Sequence, residues 1–209
     1  MFDKQYRFFG RHAERVDALT SIFDEHGKAK LFDRNVDVYV NAPLIGFLFG
    51  RKAERDTSPG ANEKTTNIMG DRVIYSSDKL KYNYRMIMML DSNSEPDAQK
   101  RLDKAFRTAG SDAADMELFD CYVRGGVDVL YEKLVEGAKT SDDYVERLFE
   151  FIDEFYNRFN SMISYDSILE KMLICPELTL FTKWVRKCES IRCKKRFNAT
   201  IPEAGLPYI

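Results

Sequence analysis

Apolar residues recur every three or four positions along most of the chain, which is typical of amphipathic helices. The pattern is clearest over Asp142–Met162, behind Thr140 or Ser141 as the helix cap. Its apolar stripe consists of Val145, Leu148, Phe149, Ile152, Phe155, Tyr156 and Phe159. The same periodicity predicts further helices over Arg11–Glu25, Ser77–Leu90, Pro96–Thr108, Asp115–Val135, Ser167–Leu173 and Glu177–Cys188.

Four of these further helices have an apolar side that we expect to face a core. In chain order the expected core residues are Val16, Leu19, Ile22 and Phe23; Leu80, Tyr84, Ile87 and Met88; Leu102, Ala105 and Phe106; and Leu118, Tyr122, Val129, Leu130 and Leu134. The pair Gly125–Gly126 interrupts the last pattern, and each glycine costs about 1 kcal/mol relative to alanine inside a helix. We therefore expect a kink or a close approach of another helix at this pair.

The stretch Asn35–Asp56 has three interpretations. The first is a membrane anchor, which is excluded by length: the apolar run Ala42–Phe49 is eight residues long, whereas a membrane-spanning helix needs about 20. Val36–Asn41 alternates as a strand does, and a strand followed by a helix is found in ribbon-helix-helix DNA-binding proteins, although this one would offer few polar side chains to the bases. A helix over about Asp33–Ala53, kinked near Pro43, is favoured because it is apolar almost all round, as in a central core helix.

The length of 209 residues fits one domain. Residues 55–70 are polar and rich in loop formers, which predicts a mobile loop. Residues 198–209 contain Pro202, Gly205 and Pro207, which predicts an extended tail. The expected fold is therefore all-α, with little sheet: one helical domain of about seven or eight helices over residues 1–197, followed by the tail.

Charge and cysteine content limit the function classes. The chain has 32 basic and 34 acidic residues, so its net charge of -2 creates no strong overall field for nucleic acid or anionic lipid. The four cysteines lack metal-ligand spacing, which indicates reduced thiols in a cytoplasmic protein. The first eleven residues contain no apolar run of the secretory type, so we expect no signal peptide.

Residues for catalysis are hard to find in this sequence. His12 and His26 are the only histidines, and we expect both on the surface, because neither has a triad or zinc-site spacing. No glycine-rich phosphate loop is present, and the adjacent acids point in different directions on a helix. The prediction is a non-catalytic protein without cofactor, metal or small-molecule substrate. An enzyme with an unrecognised active site is an alternative, and it would require a concave pocket with convergent titratable groups.

One segment is strongly basic. Residues 183–196, KWVRKCESIRCKKR, have seven basic residues and the single acid Glu189. Such a segment can contact phosphates, with a tryptophan available to stack on a base. The predicted nucleic-acid-binding residues are Lys183, Trp184, Arg186, Lys187, Arg192, Lys194, Lys195 and Arg196. A solvated helix end and a surface for an acidic partner protein are the alternatives.

Three segments resemble a group of small helical proteins. They are FDRNVDVYVNAPLIGFLFGRKAERD (Phe32–Asp56), KLKYNYRMIMMLD (Lys79–Asp91) and ELFDCYVRGGVDVLYEKL (Glu117–Leu134). The group is encoded beside bacterial anti-phage defence genes, including DNA-phosphorothioation-associated proteins and systems built on SMC-like or other large ATPases. The resemblance covers about residues 5–160, rests on the apolar pattern and on the spacing within Asp37–Lys52, and carries no catalytic residue. It implies a non-catalytic accessory subunit of a defence complex that binds a larger protein, an SMC-like ATPase or a nuclease subunit. Residues 183–196 have no match in the group, and they would then be this chain's own surface for DNA or for a partner protein. The alternative is a stand-alone nucleic-acid-binding protein that uses residues 183–196.

Overall fold

Seven α-helices and four short strands form the regular structure of residues 1–159, which are the residues that this computed structural model describes. The helices are α1 Arg11–Thr20, α2 Asn35–Leu48, α3 Gly70–Tyr75, α4 Ser77–Leu90, α5 Ala98–Leu102, α6 Ala113–Leu134 and α7 Ser141–Phe159, and a π-helical turn, Asp103–Arg107, continues α5. The strands are β1 Tyr6–Phe9, β2 Ile22–Asp24, β3 Ala29–Lys30 and β4 Thr65–Ile68. The protein is therefore mostly helical, but it is not all-α.

Several predictions lie outside the described residues. They concern the helices Ser167–Leu173 and Glu177–Cys188, the basic segment 183–196 and the tail 198–209. Residues Met1–Tyr156 form one compact unit. Within residues 1–159, no helix is long and apolar enough to cross a membrane.

Helices α2 and α6 cross at the centre of this unit through small residues. A Cβ atom added to Gly46 of α2 would lie 2.9 Å from the backbone nitrogen of Gly126 in α6. A Cβ atom added to Gly126 would in turn lie 2.9 Å from the Cα atom of Ala42. Since real Cβ atoms do not approach a backbone this closely, the glycines are what lets the two helix backbones touch. The close approach predicted at Gly125–Gly126 is confirmed.

The stretch that begins at Asn35 is a helix and not a strand, so the core-helix interpretation is confirmed. Pro43 lies inside α2, where it cannot donate a backbone hydrogen bond. Three residues before Pro43, the carbonyl of Val40 accepts a hydrogen bond of 2.7 Å from the buried side chain of Asn83. The side chain of Asn83 thus supplies a hydrogen-bond donor to the backbone of α2 near Pro43.

Helix α2 ends at Leu48 and does not reach Ala53. Gly50 adopts a left-handed conformation with φ 64° and donates to the carbonyl of Phe47 at 3.0 Å. Arg51 donates to the carbonyl of Gly46 at 2.8 Å. These two bonds form a Schellman cap, which requires the conformation that glycine adopts without strain.

Strands β1 and β4 form an antiparallel sheet, whereas the sequence predicts little sheet. Tyr6 pairs with Ile68, and Phe9 pairs with Thr65. Strand β4 lies within residues 55–70, whose composition predicts a loop. The hydrogen-bonded side chains of Arg7 and Asn67, which face each other in this sheet, are 60 residues apart in the chain. Because the two strands are so far apart in the chain, neither segment shows in its own sequence that it pairs with the other.

Helix α1 ends at Thr20, so the prediction of a helix as far as Glu25 is wrong. Ile22–Asp24 forms β2, which pairs with β3 in a second antiparallel sheet, and the side chain of Ile22 is exposed. The carboxylate of Asp24 accepts backbone hydrogen bonds from His26 and Gly27, both at 3.0 Å. Such a local turn competes with helix formation, and apolar spacing does not reveal it.

Most of the predicted core is confirmed. The buried members are Val16, Leu19, Leu80, Tyr84, Ile87, Met88, Ala105, Tyr122, Val129, Leu130 and Leu134. Leu102 and Phe106 are exposed, so their predicted burial is wrong. Phe106 lies in the π-helical turn, which is wider than an α-helical turn and does not keep the α-helical spacing. Leu102, the last residue of α5, precedes this turn.

Candidate functional site

A small cavity lies between β1 and α6. Its volume is about 130 Å³, and its walls come from β1, the start of α1, the segment after α2 and one face of α6. We call it the β1–α6 cavity. Its lining residues are Tyr6, Arg7, Phe8, Phe9, His12, Arg55, Glu117, Asp120 and Arg124. The three α6 residues are three and four positions apart, which places them on one side of the helix.

Asp120 places one unpaired carboxyl oxygen in the wall of the cavity. Its Oδ1 atom is buried without a hydrogen-bond partner in the described part of the chain. Burial above all, and in addition the charge of Glu117, raise the pKa of Asp120, whereas Arg124 and the hydroxyl of Tyr6 lower it, and the net pKa is about 7. Burial also raises the pKa of Tyr6 well above its usual value. At neutral pH the carboxyl of Asp120 is therefore close to its midpoint, and Tyr6 is neutral.

Arg124 forms a fixed cationic wall. Its Nε atom donates to the carbonyl of Ala53 at 2.9 Å, and its Nη2 atom donates to Glu117 and, at 3.3 Å, to the sulfur of Cys121. The side chain is buried, and these three acceptors hold the guanidinium plane. The guanidinium group of Arg124 is thus already bonded to acceptors of the protein itself.

Two further arginines surround Phe9 at the opening of the cavity. The guanidinium carbon of Arg55 lies 3.7 Å from the centroid of the Phe9 ring, and that of Arg7 lies 6.0 Å from it. The Nε atom of Arg7 donates to Asn67 at 2.6 Å. Both arginines are exposed. The cavity therefore has a carboxyl in its wall and a cationic, aromatic rim.

His12 lies in the wall of the cavity and not on the surface, so the prediction of a surface histidine is wrong. Its side chain is 1% exposed. Its Nε2 atom lies 3.3 Å from Oδ1 of Asp128, within ion-pair distance, although the N–H direction is not aligned for a hydrogen bond. The carboxylate of Asp128 also forms ion pairs with the guanidinium group of Arg15 and, at 3.8 Å, with that of Arg11. Burial raises the pKa of Asp128, but His12 and Arg15 more than offset it, and the net pKa is lowered.

A signal for the burial of His12 is present in the sequence. His12, Val16 and Leu19 follow the spacing of four and three that defines the apolar face of α1, and all three are buried. Asp128, in contrast, gives no local signal, because it lies on α6, far away in the chain.

Helix α7 carries the second candidate site. Thr140 caps the helix, as predicted: its Oγ1 atom accepts a hydrogen bond of 3.3 Å from the backbone of Asp143, and the Asp143 carboxylate accepts one of 2.8 Å from the backbone of Thr140. On the inner side of α7, Tyr144 stacks on Phe23 at 4.9 Å between ring centroids. Phe151 stacks on Phe49 at 6.1 Å.

The outer side of α7 presents an apolar stripe. It consists of Val145, Phe149, Ile152 and Tyr156, and we call it the α7 seam. The spacing of four, three and four is that of a coiled-coil contact face. The exposed fractions of these residues are between 44% for Val145 and 69% for Phe149. The helix also contains six acidic residues and only two basic residues, so the seam lies on an acidic helix.

The structure does not test the predicted nucleic-acid-binding residues, because residues 183–196 lie outside the described part of the chain. Within residues 1–159, no group of three or more His, Cys, Asp and Glu side chains could hold a metal ion. The β1–α6 cavity does have the convergent titratable groups that an enzyme would require. The absence of catalysis therefore stays a prediction.

No protein-family model, curated protein or solved structure matches the chain. The comparisons assign neither a family nor an activity. The resemblance to accessory proteins of defence systems stays a prediction.

Proposed function

We propose that this protein is a non-catalytic accessory subunit that assembles with a larger protein through the α7 seam. The observation that carries the proposal is the exposure of four large apolar side chains at coiled-coil spacing on a capped helix. Contiguous apolar patches on a soluble surface mark sites of protein interaction. A helix of a partner protein would cover this seam by inserting its own apolar side chains between those of α7.

The charge of α7 defines the chemistry of that partner. Six acids and two bases give the helix a net negative charge, and Glu146 and Asp153 directly follow two seam residues, Val145 and Ile152. A second copy of α7 would bring the same acids to the interface, where like charges repel. A helix with basic residues beside its apolar stripe complements them. The proposed partner is therefore a basic amphipathic helix of a different protein.

The biological setting of the proposal rests on the sequence resemblance. Phe32–Asp56 and the two later segments are similar to accessory proteins of bacterial anti-phage defence systems. The larger partner would in that setting be an SMC-like ATPase or a nuclease subunit in the cytoplasm.

Two synthetic helices test the seam directly. Each has three heptads with leucine at the a and d positions, and they differ only in having lysine or glutamate at the e and g positions. We expect the lysine peptide to bind the protein, as measured by fluorescence anisotropy, and the glutamate peptide to bind at least tenfold more weakly. The double variant Phe149→Glu, Ile152→Glu should weaken the lysine peptide by about 100-fold, since central apolar anchors dominate helix interfaces.

Tyr75→Glu is the matched control for that double variant. Tyr75 is 85% exposed at the end of α3, outside the seam, so the variant should bind the lysine peptide as the wild type does. Equal binding of both peptides would contradict the proposed basic partner. A dimer in sedimentation velocity that the double variant abolishes would identify a second copy as the occupant, and failure of both peptides to bind would overturn the proposal.

Nucleic-acid binding by the basic segment is the second candidate function. Its support is the excess of seven basic residues over one acid in residues 183–196. If these residues contact phosphates, affinity for a DNA duplex should fall steeply with salt. The variant Lys187→Ala, Lys194→Ala, Lys195→Ala should then lower both the affinity and the salt dependence. A wild-type chain without affinity for duplex DNA at low salt would contradict this function.

A further inference from the structure

The β1–α6 cavity has an unpaired carboxyl oxygen in its wall, and at its rim are two arginines whose side chains bond to asparagines, Arg7 to Asn67 and Arg55 to Asn62. Oδ1 of Asp120 is a buried oxygen without a hydrogen-bond partner among the described residues. Leaving such an atom unpaired is costly, and buried polar atoms in native proteins almost always have a partner. The nearest fixed cation, Arg124, already donates to Ala53 and Glu117. A donor from outside the chain would satisfy the carboxyl.

The rim of the cavity is cationic, so the ligand group that it binds would be negatively charged. Arg7 and Arg55 both lie within 6.0 Å of the Phe9 ring centroid, measured from their guanidinium carbons. Exposed guanidinium groups around one aromatic ring are suited to hold a planar carboxylate, because each offers several donors in a fixed plane. The cavity thus offers an acceptor inside and donors outside.

We propose that the β1–α6 cavity binds a small zwitterion, with its ammonium group at Asp120 and its carboxylate at Arg7 and Arg55. The volume of about 130 Å³ is well below the roughly 300 Å³ at which pockets for drug-sized ligands begin. It matches a ligand of the size of a free amino acid. Phe9 and Phe8 supply the apolar walls around the carbon atoms of such a ligand.

The ionisation of Asp120 makes this binding depend on pH. With its pKa raised to about 7, the carboxyl loses its charge below neutral pH. Because an ammonium group binds the ionised form, the affinity should fall by about tenfold per pH unit below pH 7. The charged and titratable groups around Asp120 are Tyr6 and Arg7 of β1, His12 of α1, Tyr39 of α2, Arg55, and Glu117 and Arg124 of α6.

The test uses a series of ligands whose two charges are separated by increasing lengths. Glycine, β-alanine and γ-aminobutyrate are added to the full chain, and the melting temperature is measured. A ligand that binds should raise Tm by about 3–5 °C at ten times its Kd. N-acetylglycine and glycinamide each keep one of the two charges of glycine and serve as matched ligands. We expect both to bind at least tenfold more weakly than the zwitterion that binds best.

Two variants separate a binding role from a structural one. Asp120→Asn removes the charge but keeps the shape, and it should abolish both the binding and its pH dependence. Since burial disfavours the charged carboxylate, this variant should melt at or above the wild-type temperature at pH 8 in the absence of ligand. The double variant Arg7→Gln, Arg55→Gln, whose side chains are exposed, should weaken binding by at least tenfold. Arg34→Gln, an exposed arginine paired with Asp37 outside the cavity, is the control.

Three results would overturn the proposal. They are the absence of any stabilisation by the three zwitterions, equal binding of N-acetylglycine and glycine, and wild-type affinity in Asp120→Asn. The experiment involves neither the peptides nor the seam variants, so its failure is independent of the proposed assembly through α7.

Discussion

The substitution Gly126→Ala tests the closeness of the central helix crossing. Its added Cβ atom would lie 2.5 Å from the carbonyl carbon and 2.9 Å from the Cα atom of Ala42. All the nearest atoms belong to the α2 backbone, so no side-chain rotation can relieve the contact. The two helices would have to separate, and the contact between α2 and α6 is the most extensive between any two elements of residues 1–159.

Two opposing effects determine the magnitude. Overpacking a well-packed interior costs up to about 3 kcal/mol when it displaces backbone. Alanine is favoured over glycine inside a helix by about 1 kcal/mol, which acts in the other direction. The expected result is a net loss of about 2 kcal/mol in the free energy of unfolding. For a chain of this length that corresponds to a decrease in Tm of about 4–8 °C.

Urea denaturation followed by far-ultraviolet circular dichroism measures this loss, and Gly70→Ala is its control. Gly70 is also helical, but a Cβ atom there would lie 3.5 Å from its nearest neighbour, the backbone nitrogen of Gln5. We expect Gly70→Ala to leave the stability unchanged or to raise it by up to about 1 kcal/mol. A Gly126→Ala protein as stable as the Gly70→Ala protein would refute the close packing of the two helices.

Two buried carboxylates give further predictions. Asp128→Asn should lower stability by about 3 kcal/mol at pH 7, because it leaves the cationic neighbours of Asp128 without a buried counter-charge. Folding lowers the pKa of Asp128, so its contribution is present above the unfolded-state pKa of about 4 and is lost as the pH falls through the lower pKa of the folded state; urea titrations should show the wild type and Asp128→Asn converging as the pH is lowered. Tyr122→Phe removes the 2.6 Å hydrogen bond to the buried Asp91, and we expect a loss of about 1–3 kcal/mol in the same assay. An unchanged urea midpoint in Tyr122→Phe would show that this bond is not stabilising.

Helical periodicity predicts the parts of this fold in which one face of a helix meets the core. Helix α4 occupies the predicted range Ser77–Leu90, and its four predicted core residues are buried. The glycine pair of α6 indicates a close approach because glycine otherwise weakens a helix interior. In both cases the residues that carry the signal lie close together on one helix, so they leave a local pattern in the chain.

The cavity could not be predicted in the same way, because its members come from four separate segments. In the sequence Asp120 is an ordinary acid in a helix, and its pKa is raised to about 7 only because the fold buries it. Strand β1 is itself held by β4, whose sequence is polar and gives no strand signal. A site that depends on two such distant pairings has no local spacing to identify it.

Helix α7 shows a different limit of sequence reasoning. Its apolar stripe predicts a helix correctly, but periodicity cannot state what the stripe faces. Only Tyr144 and Phe151 stack on aromatic rings of earlier elements, Phe23 and Phe49, while the α7 seam on the other side is exposed. A helix that packs on its own protein needs one apolar side, whereas α7 has two. A partner that covers the second side, as we propose, would provide a physical reason for its presence.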